Sequence, residues 1–155
     1  MATYYPPAGF HFKVEFVGVS GADSDTEQRF QEVSGLSVEI ETEELREGGE
    51  NRFVYKLPKR AKYPNLVLKR GLLKGTALLA WFKSAQNTYF MVPIYDFKPA
   101  DIMITLLDEA DQPYAIWNVV QAYPLKWSTS DFKSTDNSVV VETIELAYQY
   151  FERKM

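Results

Sequence analysis

Strict alternation of apolar and polar side chains is the feature of this sequence that most restricts its fold. Residues 10–19, 30–40 and 139–150 all place an apolar side chain at nearly every second position. Successive side chains of a β-strand point to opposite faces, so a period of two indicates a strand with one buried face. In the first stretch the apolar face consists of Phe10, Phe12, Val14 and Phe16.

Shorter apolar runs between turn-forming residues indicate additional strands. We expect them at residues 53–55, 66–68, 102–107 and 114–121. The polar segment 108–113 predicts a turn between the last two. The charged pair Lys69-Arg70 followed by Gly71 is expected to end the strand at 66–68, and Ser34-Gly35 predicts a bulge or bend.

One helix is predicted at residues 76–86. The Thr76 hydroxyl can cap its N-terminus by accepting a hydrogen bond from a free backbone N–H group, and Asn87 suits its end. Its apolar face comprises Leu78, Leu79, Phe82 and Ala85. Several antiparallel strands with one short helix predict a mainly β (α+β) single domain over residues 1–155, a small antiparallel β-barrel or sandwich with one flanking helix.

The chain has no cysteine and only one histidine, which narrows its possible chemistry. Disulfides, thiol nucleophiles and cysteine metal sites are excluded, and a zinc site needs several histidine or cysteine ligands. His11 lies between two phenylalanines on the polar face of a predicted strand, where a solvated or interface role is expected rather than that of a catalytic base. We therefore expect no catalytic residue, no metal site and no cofactor, and a protein that is not an enzyme.

Two other functions remain open from composition. Abundant carboxylates allow a paired-carboxylate hydrolase, although Glu39, Glu41 and Glu43 at alternate positions also fit a solvated strand face. The 10 Tyr, 10 Phe and 3 Trp residues allow a monomeric β-barrel that binds a small apolar ligand. The aromatic content fits subunit interfaces equally well.

Net charge and the N-terminal residues bear on partners and location. A formal net charge of -4 gives no general attraction to phosphate backbones, so specific nucleic-acid binding is not expected. No apolar run has transmembrane length, and residues 1–7 lack a positively charged segment followed by an apolar one. We expect folding in the cytoplasm without a signal peptide and without membrane insertion.

Charge order between residues 39 and 74 is the most informative feature of the sequence, and it allows two interpretations. Residues 39–50 include six glutamates and one arginine, whereas residues 52–74 include eight basic residues and no acidic one. The charges either pair within a solvated hairpin or meet between subunits in a head-to-tail contact. Gly48-Gly49 fits a turn at the tip of this protruding segment. For the second alternative, the contact residues are Glu43, Glu44, Glu47, Glu50, Arg52, Lys56, Lys59, Arg60 and Lys62.

Seven stretches distributed over nearly the whole chain resemble the tail tube family of contractile phages and extracellular contractile injection systems. They are YPPAGFHFKVEF at 5–16, FQEVSGL at 30–36, EGGENRF at 47–53, KLP at 56–58, NLVLKRG at 65–71, WNVVQAYP at 117–124 and VETIELAY at 141–148. Their order and spacing, rather than any single stretch, make the resemblance specific.

The resemblance implies both an assembly and a location. It implies a β-barrel subunit, related in fold to the type VI secretion tube protein, that forms homo-hexameric rings. The rings would stack into a hollow tube, with sheath, baseplate, spike and tape-measure proteins as partners in an assembled phage-tail-like particle. A protruding loop at about residues 43–62 would contact neighbouring subunits. The glycine-containing stretch 48–53 and the aromatic C-terminus resemble the initiator layer that joins tube to baseplate.

Overall fold

The computed structural model describes residues 11–22, 29–87 and 98–154. The N-terminal segment 1–10, most of the expected polar loop at 20–27 and most of the stretch 85–99 lie outside them. The described residues form, in order, β1 (Phe12–Val17), β2 (Glu32–Ser34), β3 (Glu39–Leu45), β4 (Tyr55–Lys62), β5 (Leu66–Gly71), α1 (Ala77–Asn87), β6 (Ala100–Leu107), β7 (Pro113–Thr129), β8 (Val141–Ala147) and β9 (Tyr150–Arg153).

Strand β7 belongs to two sheets. Its first part lies between β6 and β9, and with β1 these form the first sheet. Its last part, from Tyr123, pairs with β8, and with β5 and β2 these form the second sheet. Near the changeover, Gln121 has a φ of 53° and its backbone N–H donates to the Asp101 carboxylate at 2.9 Å. All these strand pairs are antiparallel, and the described residues contain one helix, so the mainly β architecture is confirmed.

The core lies between the two sheets. Val14 and Phe16 of β1 are buried and Phe12 packs against them, which confirms the face predicted from alternation. Each sheet contributes fully buried aliphatic side chains, among them Ile102, Val119, Leu66, Leu68 and Leu146. Because residues from both sheets meet in one cluster, the sandwich has a single continuous core.

Helix α1 is attached at its start and along one side. The Leu79 backbone N–H donates to the Thr76 hydroxyl at 3.2 Å, which confirms the predicted cap. Leu78 is buried, and the Phe82 ring lies edge-on to Trp127 with 5.6 Å between ring centroids. Trp81 packs against the core and donates its indole N–H to the Lys98 carbonyl at 3.0 Å.

The single strand expected at residues 30–40 is wrong, because β2 ends at Ser34 and β3 begins at Glu39. The bend predicted at Ser34-Gly35 exists, and it separates two strands. Gly35 has a φ of +94°, and a Cβ atom there would overlap the backbone oxygen of Asn65. The chain can therefore approach itself this closely only at glycine.

Two other strand boundaries also differ from expectation. Strand β5 continues through Lys69 and Arg70 because the Arg70 side chain is buried against an acidic partner instead of being solvated. The stretch predicted as one strand from 139 to 150 divides after Ala147 into β8, in the second sheet, and β9, in the first. The turn predicted at 108–113 is confirmed, with Asp108 accepting two backbone hydrogen bonds within it.

Candidate inter-subunit surface

Strands β3 and β4 form a separate two-stranded antiparallel hairpin, residues 39–62, which we call the arm. It is inserted between β2 and β5, which are neighbours in the second sheet. Every residue of both arm strands is exposed. The segment expected to protrude as a loop from about residue 43 to 62 thus belongs to a two-stranded hairpin, whose register shifts between Ile40 and Thr42. The basic run that was expected to follow a short strand at 53–55 is itself strand β4.

The arm places an acidic strand beside a basic one. Lys59 Nζ lies 4.0 Å from a Glu43 carboxylate oxygen, and Lys62 Nζ lies 3.5 Å from one of Glu41. The strand register also sets opposite charges side by side at Glu39–Lys62 and Glu44–Lys56. Exposed pairs of this kind contribute about 0–1 kcal/mol each. Internal pairing therefore exists, but it leaves most of the charged surface open to a partner.

The tip of the arm is a turn, as Gly48-Gly49 predicted. Gly49 has a φ of +99°. Just beyond it, the Arg52 guanidinium donates to both carboxylate oxygens of Glu50 at 2.9 and 3.0 Å. This contact lowers the pKa of Glu50 and raises that of Arg52. The tip thus carries a pair of opposite charges beside a glycine turn, which is spanned by a hydrogen bond from the Glu50 backbone N–H to the Glu47 carbonyl at 3.4 Å.

The predicted contact residues divide between the strands and the tip. Glu43 and Glu44 lie on β3, and the basic members on β4 are Lys56, Lys59, Arg60 and Lys62. The members at or beside the tip are Glu47, Glu50 and Arg52. All nine therefore lie on the arm, although only some of the opposite charges are brought within pairing distance.

The arm also has an apolar face that the sequence reasoning missed. Leu45 is opposite Tyr55 in the strand register, and Leu57 is two residues further along β4 on the same side. The Phe53 and Tyr55 rings are 5.0 Å apart and edge-on. These four side chains are between 45% and 49% exposed. The sequence signal for this face was the placement of apolar residues at alternate positions after the glycine turn, at Phe53, Tyr55 and Leu57, with Leu45 before it. This spacing predicts a shared face only once the segment is recognised as a hairpin.

The one histidine of the sequence lies beside an aspartate. His11 Nε2 lies 2.9 Å from the Asp111 carboxylate; the His11 side chain is partly exposed and that of Asp111 is exposed. No group of three or more histidine, aspartate or glutamate side chains in residues 11–22, 29–87 and 98–154 could hold a metal ion. No helix in these ranges is both long and apolar enough to cross a bilayer.

The described residues thus form a two-sheet β-sandwich with a charged hairpin inserted between two strands of the second sheet. The T4-like virus tail tube protein gp19 family matches residues 8–152, and this chain belongs to that family. The resemblance seen in the sequence is therefore confirmed. The chain is a structural tail tube subunit, not an enzyme, and a component of an assembled phage-tail-like particle. No curated protein sequence matches it.

Solved structures of contractile particles contain similar chains. One in the six-fold symmetrised anti-feeding prophage baseplate is 28% identical, with a TM-score of 0.84 and 97% of each chain covered. Another, in the PVC sheath–tube complex of an extracellular contractile injection system in the extended state, is 26% identical, with a TM-score of 0.77 and coverages of 97% and 92%. Hcp1 from Flavobacterium johnsoniae, at 12% identity and a TM-score of 0.53 with coverages of 94% and 95%, shares the fold.

Proposed function

We propose that this chain forms homo-hexameric rings that stack into the hollow inner tube of a contractile injection system, inside a contractile sheath. The similar chains in the baseplate and the sheath–tube complex, matched over 97% of this chain, support the proposal. The observation that carries it is the arm: a fully exposed hairpin with opposite charges on its two strands and an uncovered apolar face.

Ring closure would use the edges of the second sheet. Its outermost strands are β2 on one side and the last part of β7 on the other, and neither pairs beyond the sheet within the described residues. Free strand edges recruit further strands. A contact that joins two different edges of identical copies is head-to-tail, and it closes into a ring when the rotation per subunit permits.

The arm would contact a neighbouring copy through its charges. The acidic side of one arm suits a basic surface, and an identical copy supplies one on its own β4 strand. Electrostatic complementarity of this kind sets register and steers assembly more than it adds affinity. The nine residues from Glu43 to Lys62 named above are the proposed contact residues, and the apolar face around Tyr55 would be covered in the same contact.

A charge-reversal experiment tests the arm contact. A variant with Lys59, Arg60 and Lys62 changed to Glu should fold normally, because these side chains are exposed, but should fail to stack rings in electron micrographs. Its counterpart carries Glu43→Lys, Glu44→Lys and Glu47→Lys. If the charges meet between copies, mixing the two variants should restore stacking. Normal stacking by either variant alone, or no restoration on mixing, would contradict the contact.

A second proposal concerns the position of this chain in the particle. Of the two contractile-particle chains described above, the baseplate chain is the more similar, with a TM-score of 0.84 against 0.77. This favours the initiator layer that joins tube to baseplate. An epitope-tagged chain, located by antibody in electron micrographs of intact particles, tests it. Label at the baseplate end supports the initiator role, whereas label along the whole tube assigns the main tube role.

A further inference from the structure

We propose that the turn between β8 and β9 is a clamp that fixes the direction of the arm relative to the sandwich. The chain passes between arm and sandwich twice, at residues 35–38 and 63–65, and we call these two segments the elbow. The clamp is a property of the folded protomer. Its consequence for assembly rests on the proposed function of the arm.

The first elbow segment is held through its backbone. Gly35 approaches Asn65 so closely that no side chain fits between the two segments. The Tyr148 hydroxyl, in the β8–β9 turn, donates to the Gly35 carbonyl at 3.4 Å. On the other side, the Asn65 side-chain amide donates to the Glu145 carboxylate of β8 at 2.8 Å. Each elbow segment is thus hydrogen-bonded to a residue at or just after the end of β8: Gly35 to Tyr148, and Asn65 to Glu145.

The second elbow segment is held by aromatic rings. The Tyr63 ring lies edge-on to Phe151 at 5.5 Å and to Tyr148 at 5.9 Å. Tyr148 and Phe151 are 6.3 Å apart and pack against the core. Edge-to-face rings at these distances attract each other and resist displacement. Since Phe151 lies on β9 of the first sheet and Glu145 on β8 of the second, the elbow is tied to both sheets.

The arm needs such a clamp because its own contacts cannot set its direction. Its strands are exposed throughout and pair only with each other within the described residues. A two-stranded hairpin without other packing is marginally stable in water, so its orientation depends on how its base is held. A fixed arm presents its charges in place and loses less conformational freedom on binding. A loosened arm should raise the protein concentration needed for tube assembly by about tenfold.

Distance measurements between two spin labels test the clamp. Because the chain has no cysteine, labels can be placed through Asn51→Cys at the arm tip and Glu109→Cys in the β6–β7 turn. The full chain is measured below its assembly concentration. We expect a narrow distance distribution in the labelled parent and with Tyr63→Phe, which keeps the ring, and a broad one with Tyr63→Ala. Tyr114→Ala, which removes an exposed tyrosine from β7, is the matched control and should leave the distribution narrow.

The outcomes separate the clamp from the proposed function. A distribution that stays narrow in Tyr63→Ala overturns the clamp, whatever the tubes do. A broad distribution together with normal tube assembly supports the clamp and contradicts the arm contact. Phe151→Ala should broaden the distribution as well. If that variant unfolds, Tyr63→Ala still tests the clamp, because Tyr63 lies outside the strands of the sandwich. Circular dichroism verifies that the Tyr63→Ala variant is folded.

Discussion

Arg70 belongs by sequence to the basic run of residues 52–74, yet it is only 1% exposed. Its guanidinium donates to the Glu142 carboxylate at 3.2 Å and to the Thr76 hydroxyl at 3.1 Å. It also lies 5.3 Å from the centre of the Phe30 ring. The partner at position 142 is 72 residues away in the chain, so local sequence could not reveal that this arginine is structural.

The buried pair gives a sharp stability prediction. Arg70→Met should lower the free energy of unfolding by about 3–5 kcal/mol, because it leaves the Glu142 carboxylate buried without its partner. The control is Lys69→Met, whose exposed pair with Glu32 is worth about 0–1 kcal/mol. Denaturant titration measures both. The double variant Arg70→Met with Glu142→Met should be less destabilised than Arg70→Met alone. If Lys69→Met and Arg70→Met lower the free energy of unfolding equally, the prediction is refuted.

Tyr148 should make the elbow sensitive to alkali. Burial, with a smaller contribution from Tyr63, raises the pKa of Tyr148 above the ordinary tyrosine value of about 10. The folded state therefore holds this proton more tightly than the unfolded state. The resulting stability is fully present below about pH 10 and is lost as pH rises through the folded pKa. Ultraviolet titration should show that Tyr148→Phe removes a late-titrating tyrosine; loss of an early one would contradict this.

At the scale of elements, helix α1 offers a test of side-chain packing. Phe82→Ala should lower stability by about 2–3 kcal/mol, somewhat less than for a fully buried aromatic, because the Phe82 ring is half-buried against Trp127. Trp81→Ala should cost a similar amount, since it also removes the bond to the Lys98 carbonyl. The control is Lys83→Ala, because Lys83 follows Phe82 in the helix and is exposed. This variant should leave the midpoint of thermal unfolding nearly unchanged. A neutral Phe82→Ala would show that the helix is not anchored through this face.

Local patterns predicted most elements but not how they join. Alternation identified β1 and β8, short apolar runs identified β5, β6 and the first part of β7, and the Thr76 cap located the helix start. The arm's charge reversal was predicted, with a solvated hairpin as one of two alternatives, but the bounds of its strands were not, because neither strand alternates apolar with polar residues along its whole length. The passage of β7 between sheets depends on pairings with β6, β8 and β9 that no local segment encodes.

For the whole molecule, assembly should depend on salt. The proposed contact residues are exposed charges, and exposed charges are screened within about 8–10 Å at physiological ionic strength. Raising salt should therefore reduce tube formation, seen by sedimentation and electron microscopy at matched protein concentrations. A protein that stays a monomer under all conditions, including high concentration, would instead favour the alternative of a ligand-binding barrel. If tube formation does not change with salt concentration, assembly depends on sheet edges and apolar contacts and not on the charges of the arm.

The sharing of β7 between the two sheets has a mechanical consequence. In the proposed stack of rings, an axial thrust would reach each subunit through one part of its surface and would have to pass to the rest without shearing the sandwich. Side chains packed between sheets can slide past one another, whereas a continuous covalent backbone cannot. A 17-residue strand that is hydrogen-bonded into both layers should therefore make the sandwich respond to load as one stiff body.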